Sequence, residues 1–153
     1  STSDNKYFGA YTRLDTNKTP TYDCAATEDK FTVDSSTGNG KLTYPIALMT
    51  ADEIAFAGGG THKEASTWYY YNSAKGSSTG STYWWSLSPG SFGIGNAYVY
   101  QILSQGILRT NAYEVSNKDN VRPVISLSSC VKYSSGDGSA SNPYTILETS
   151  SGC

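Results

Sequence analysis

The chain has a single histidine, no C-x-x-C pair, no basic cluster, no long apolar run and few charged residues of either sign. Each absence removes a class of function. His62 stands in the loop Gly59-Gly60-Thr61-His62-Lys63, with no G-x-S-x-G element nearby to supply a nucleophile, so it is expected to be a surface loop residue and not a catalytic base. One histidine and scattered carboxylates offer no ligand spacing for a metal, and no metal or cofactor is expected. A net charge of −2 without basic runs gives no phosphate-tracking surface, so nucleic acid is not an expected partner. No stretch approaches the about eighteen apolar residues of a membrane-spanning helix, and neither a span nor a signal peptide is expected among these residues. The first residues, Ser1-Thr2-Ser3, lack Met, as expected of a processed product, a truncated chain or a fragment. The glycine-rich pieces Gly58–Gly60 and Gly90–Gly95 lack the strand–glycine–helix order and the following Lys-Ser/Thr of a phosphate cradle, and are expected to be turns.

What is present is aromatic and small-polar. The 153 residues are most simply one domain over 1–153, with a polar, turn-rich part over 1–40. Hydrophobic content is only 37%, but thirteen Tyr and three Trp supply ring area that few Leu and Ile provide. The low charged fraction and the abundance of Ser, Thr, Gly and Asn suit an extracellular, β-rich protein. Three cysteines fit one disulfide and one odd thiol in an oxidising compartment. Cys130–Cys153 would pin the C-terminal tail, and Cys24–Cys130 would tie the two halves together. Sequence does not choose between these pairings, and three unpaired thiols is a further arrangement.

Along the chain, strand-like pieces are expected at Tyr7–Leu14 and Lys30–Val33, and Lys41–Met49 is extended. Thr50-Ala51-Asp52-Glu53 is a capping box, so a two-turn helix is expected over Ala51–Ala57, stopped by Gly58–Gly60. Asp52 and Glu53 are read as helix-cap residues. Trp68–Asn72 is an aromatic strand or short helix, and Ala74–Thr82 a Ser/Gly loop. Strands follow at Tyr83–Ser86, Ala97–Leu103, Gly106–Arg109, Asn111–Val115 and Val121–Leu127. Turns separate them at Ser88-Pro89-Gly90, Ser104-Gln105-Gly106 and Asn117–Asn120. A closing hairpin turns around Ser135–Pro143. In that loop Asp137-Gly138-Ser139 and Ser141-Asn142 carry alternating oxygens loosely like half a calcium loop, but the terminal bidentate Glu is missing and the turn reading is preferred. The class is α+β, mostly β.

The block Tyr83-Trp84-Trp85-Ser86-Leu87-Ser88-Pro89-Gly90 and the block Val121-Arg122-Pro123-Val124-Ile125-Ser126-Leu127 enclose a span of Tyr, Asn, Ser, Gln and Gly. Tyr gives large contact area at low entropic cost, and Ser, Gly and Asn adapt their hydrogen bonds, so this is the texture of a binding surface. Period-2 alternation is expected to turn Ala97 and Val99 inward and Tyr98 and Tyr100 outward. The expected contacts are Tyr98, Tyr100, Gln101, Ser104, Gln105, Arg109, Asn111, Tyr113, Glu114 and Asn117. Trp84, Trp85 and Arg122 are assigned to the scaffold, together with Cys24, Cys130 and Cys153.

This pair of blocks resembles a family of bacterial surface domains with a C-type-lectin-like fold, which show W-W-x-x-S-P, a variable insert and then G-V-R-P-(A/V)-(L/I)-x-L. The fold is shared with formylglycine-generating enzymes and with the variable proteins of diversity-generating retroelements. The match covers residues 83–127 and, more loosely, 41–60 and the closing turn, with Asn120 where the family has Gly. The resemblance implies a helix at Ala51–Ala57 packed on antiparallel sheets formed largely by residues 97–127, and an exposed ligand surface from Gly93 to Asp119. Such domains also occur behind pilin-like N-terminal helices. The paired cysteines of the enzymes and the Glu-Pro-Asn and Trp-Asn-Asp calcium signatures of lectins have no counterpart here. The implied function is an extracellular, non-enzymatic adhesion module at a cell surface, with a protein or glycan on another cell as partner. The alternative is the structural head of a self-assembling pilin-like filament.

Overall fold

The computed structural model describes residues 6–23, 27, 30–61, 83–103, 106–110, 114–127, 129–139 and 141–147. His62, Trp68–Asn72 and Ala74–Thr82 lie outside them. So do Cys24, Ser104, Gln105, Asn111, Tyr113 and Cys153. Among the described residues the architecture is mostly β with two short helices. The strands are β1 (Lys6–Tyr7), β2 (Ile46–Leu48), β3 (Gly60–Thr61), β4 (Trp84–Gly93), β5 (Asn96–Ile102), β6 (Ile107–Arg109), β7 (Pro123–Ile125), β8 (Tyr133–Ser135) and β9 (Thr145–Ile146). The main sheet runs β1-β4-β5-β6-β3, antiparallel except where β3 pairs β6. Two small ladders, β2-β7 and β8-β9, stand beside it.

Helix α2 (Ala51–Phe56) forms where the capping box predicts it. Thr50 N–H donates to Glu53 Oε2 at 2.7 Å, and Glu53 N–H donates to Thr50 Oγ1 at 3.2 Å. The Ala51 amide, another of the donors a helix start leaves open, goes to Ser88 Oγ at 2.9 Å and fastens the helix to β4. Gly58, at φ +98°, ends the helix, and Gly59 N–H returns to Ile54 O at 2.8 Å. Ala51 and Ile54 fall three apart on one face and are fully buried.

The chain before α2 departs from expectation. Only Lys6–Tyr7 of the expected strand Tyr7–Leu14 is extended. The chain then turns helical as α1 (Gly9–Tyr11) and continues in a π-helical turn, Thr12–Thr16. The helical turn places Ala10 and Leu14, four residues apart, on one face in the core. Burial of that face overrides the strand preference of Tyr and Thr. The core gathers Ala10, Leu14, Ala51, Ile54, Trp84, Tyr100, Ile102 and Leu108.

The expected turn at Ser88-Pro89-Gly90 is instead the middle of β4. The register against β5 shifts between Trp85 and Pro89 and again between Pro89 and Ser91. Those irregularities accommodate a proline, which has no N–H for the ladder. Gly90 packs beside Thr110, whose Oγ1 and Cβ would collide with any added Cβ. The expectation that residues 97–127 form the sheet under the helix is also corrected. Trp84–Gly93 is the long strand beside β5, while β7 leaves the main sheet and pairs β2 through Ile46↔Ile125 and Leu48↔Pro123. Residues Glu114 and Asn120 make only isolated bridges, to Tyr98 and Trp84. The closing hairpin is present, with Tyr133 opposite Ile146. Its loop consumes the Asp137 carboxylate internally, since Oδ1 accepts from Ser139 N at 2.8 Å. Those Ser139 hydrogen bonds hold the Asp137 carboxyl below its usual range. Cys130 is disulfide-bonded, and its partner lies outside the described residues.

Candidate ligand-binding surfaces

The expected recognition strand, β5, is covered on both faces at its inner end. Tyr100 and Ile102 share one face and both lie in the core, with Tyr100 only 1% exposed. Tyr100 is therefore not an outward contact. Tyr98, on the same face, is half-buried, as are Ala97 and Val99. At this end the neighbouring Gln101, on the opposite face, is as deeply buried as Tyr100, so alternation does not separate inward from outward. The phenol tolerates burial because its hydroxyl donates to Asp15 Oδ2 from the π-helical turn. Gln101 is corrected in the same way. At 1% exposure, its Nε2 donates to Asp119 Oδ2 and pins the 114–120 segment against β5. Burial raises the Asp119 carboxyl above its ordinary range.

Burial first, and then the hydrogen bond and negative charge of Asp15, push the Tyr100 hydroxyl far above its ordinary value of 10.0. Below about pH 10 the hydroxyl keeps its proton in folded and unfolded chains alike, and stability does not respond to it. Above that, the unfolded chain releases the proton and the folded chain retains it, so stability falls by about 1.4 kcal/mol per pH unit from this group. Urea unfolding between neutral pH and pH 11 is expected to show that slope. Tyr100→Phe is expected to remove one proton's share of it; an unchanged slope would place the hydroxyl in solvent.

Of the other expected contacts, Arg109 is exposed at the end of β6, opposite Gln101, and Asn117 is exposed in the turn before Asp119. Glu114 is half-buried, with Oε1 accepting from Asn96 Nδ2 at 2.7 Å. The structure thus brings Asn96, Tyr98 and Glu114 together, with Arg109 further along the same edge of β5. The Arg122 guanidinium lies 4.9 Å over the Trp84 ring, a cation–π placement on a buried indole. Trp84 is buried and Trp85 half-buried, and the Trp85 amide donates to Asn120 O at 3.1 Å.

The outer end of this face holds a residue that the sequence reading missed. β4 and β5 are joined by a two-residue turn in which Ile94 has φ +51° and Gly95 φ +83°. That is the type I′ geometry favoured in hairpins, where Asn-Gly is the usual pair. A β-branched residue is strained with positive φ. Ile94 is also 80% exposed, the most exposed of the large hydrophobic side chains among the described residues, and nothing lies within 4 Å of a Cβ placed on Gly95. Neighbouring Phe92 is 47% exposed. The available signal was Gly93-Ile94-Gly95 between two alternating segments, a hairpin tip carrying an aliphatic side chain where a small polar one belongs.

A second missed constellation lies at the helix start. Arg13 donates Nε and Nη2 to the two carboxylate oxygens of Asp52, at 2.8 and 2.7 Å, and Thr21 N–H adds a third bond at 3.0 Å. The Asp52 side chain is 4% exposed and that of Arg13 37%. The partners are 39 residues apart, so no local spacing announces them. Asp52 is thus more than a helix-cap residue.

Among the described residues no three His, Cys, Asp or Glu side chains gather as metal ligands, and no helix is long and apolar enough to cross a membrane. Comparison with protein-family models, curated proteins and solved structures finds no match to this chain.

Proposed function

We propose that this domain is an extracellular adhesion module of C-type-lectin-like arrangement, which engages a partner at a cell surface through the outer end of the β4–β5 hairpin and its flank. Ile94 carries the reading. Backbone strain at an exposed aliphatic tip has no use in folding, and such outliers gather where a ligand is clamped. Beside the tip, Phe92 adds aromatic area on one face of the hairpin, and Asn96 and Glu114 add polar groups on the other. An aliphatic knob gains most by entering an apolar pocket, so a protein partner is favoured over a glycan.

The test is an array of immobilised cell-surface proteins and glycans probed with the wild type and Ile94→Asn. Relieving the left-handed strain is expected to raise the unfolding free energy by about 1 kcal/mol, while binding to the captured partner falls by about tenfold or more. A more stable variant that binds equally well would remove the hairpin tip from the interface. The second reading, a filament head domain, has its own support. Ile46 and Ile125 face each other across the β2–β7 ladder at 51% and 62% exposure, next to Val121 and Leu127. A bare apolar ladder of this kind fits self-association. Sedimentation of the same samples separates the two, since concentration-dependent assembly without array binding favours the filament.

A further inference from the structure

On the helix side of β4, away from the hairpin tip, lies a cleft of about 700 Å³. Its size is that of a ligand site rather than a packing gap. Phe8, Tyr22 and Phe31 line it and are 44%, 68% and 46% exposed. Three rings around one cavity give it open aromatic faces. Tyr22 is held in place by stacking on Phe56, with ring centroids 4.2 Å apart.

The charge in the cleft is one-sided. Arg13 is its single described cation, and the bidentate bond to Asp52 answers that charge. Asp23 and Glu53 also line the cleft. Glu53 uses Oε2 for the capping box, and Oε1 has no partner among the described residues. The Asp23 carboxylate likewise accepts no bond from them, although its amide is fixed on Thr21 Oγ1 at 3.0 Å. Two carboxylates with open acceptor positions therefore stand beside three exposed rings. Anionic oxygens take the head of an organic cation, and ring faces take both the cation and its alkyl stem.

We propose that this cleft docks a lysine or arginine side chain carried on an extended segment of a partner protein. The occupant follows from charge complementarity, and the volume leaves room for the residues flanking that side chain. A free amine would use only part of it. The site is independent of the hairpin tip, so either assignment can fail while the other stands.

Titration of the ¹⁵N-labelled domain with acetyl-Gly-Lys-Gly-amide, acetyl-Gly-Arg-Gly-amide and the neutral acetyl-Gly-norleucine-Gly-amide tests it. Both cationic peptides are expected to shift the amides of Tyr22, Asp23 and Glu53 at millimolar concentration. The norleucine peptide should bind about tenfold more weakly, and added salt should weaken only the cationic pair. Asp23→Asn is expected to lower the affinity for the lysine peptide about fivefold with the melting temperature unchanged. Tyr22→Ala should lower it at least as much, and Asp23→Asn, at an exposed position, carries the test should loss of the Phe56 stack soften the fold. Ile94→Asn should have no effect. Equal binding of the norleucine peptide, or no shift with either cationic peptide, overturns the proposal. So does a neutral oligosaccharide that moves these amides where the cationic peptides do not.

Discussion

Replacing Trp84 with alanine is expected to lower the unfolding free energy by about 4 kcal/mol, a large share of the total for a domain of this size. Trp84 is 1% exposed at the first position of β4, where it pairs with Ile102 and shares the core with Leu14, Ile54 and Tyr100. Removing the indole forfeits its transfer energy and leaves a cavity that two sheet strands and a helix cannot close together. It also strips the ring from under Arg122. The measurement is urea unfolding followed by far-ultraviolet circular dichroism, because the substitution changes the fluorescence probe itself. A loss below about 1.5 kcal/mol would mean that Trp84 lies at the surface and that the β4 face assignment is wrong. Trp85→Ala, at a half-buried position on the opposite face, serves as the internal comparison and is expected to cost clearly less.

The second large effect is expected at the Arg13–Asp52 pair. Arg13→Ala leaves a nearly fully buried carboxylate with only the Thr21 amide as donor, at a cost of about 3 kcal/mol. That figure sits at the lower edge of what broken buried pairs cost, because the Arg13 side chain is itself 37% exposed and partly screened. The double replacement Arg13→Met with Asp52→Leu removes both charges and is expected to recover most of the loss. It should not recover all of it, since Thr21 N–H then loses its acceptor. A double variant no better than Arg13→Ala would show that the residues act independently and that the pair does not tie the π-helical turn to α2. The same pair lines the aromatic cleft, so its removal alters that surface as well as the fold.

These effects fall on contacts that differ in how visible they were from the residues alone. The capping box at Thr50 needs four consecutive residues, and the structure forms it with both reciprocal bonds. The hairpin around Asp137 needs Gly, Asp, Asn and Pro in a short loop, and those residues close on themselves. Ser88-Pro89-Gly90 carries an equally strong local signal, yet β4 runs through it. The difference is what lies on either side. The Asp137 loop is exposed and answers only to itself, whereas Pro89 and Gly90 are set between β5 and Thr110, and ladder bonds on both flanks outweigh a turn preference. The candidate site divides in the same way. Of the ten side chains expected to face a partner between the Trp84-Trp85 and Val121–Leu127 blocks, two are interior and four lie outside the described residues. Tyr100 and Gln101 are interior, and Ile94 was overlooked because an aliphatic residue in a turn reads as neutral until its φ is seen.

By itself the sequence determined the elements whose cause is local: a mostly β chain with a short capped helix, and hairpins at glycine-bearing turns. Tertiary structure alone decided that both faces of β5 are covered at its inner end, that Gly9–Thr16 is helical, and that Arg13 answers Asp52 from 39 residues away. The physical reason is range. Caps and turns are settled by bonds within about four residues, while strand parity and ion pairing are settled by whatever surface the rest of the chain presents, and that surface exists only once the core has closed.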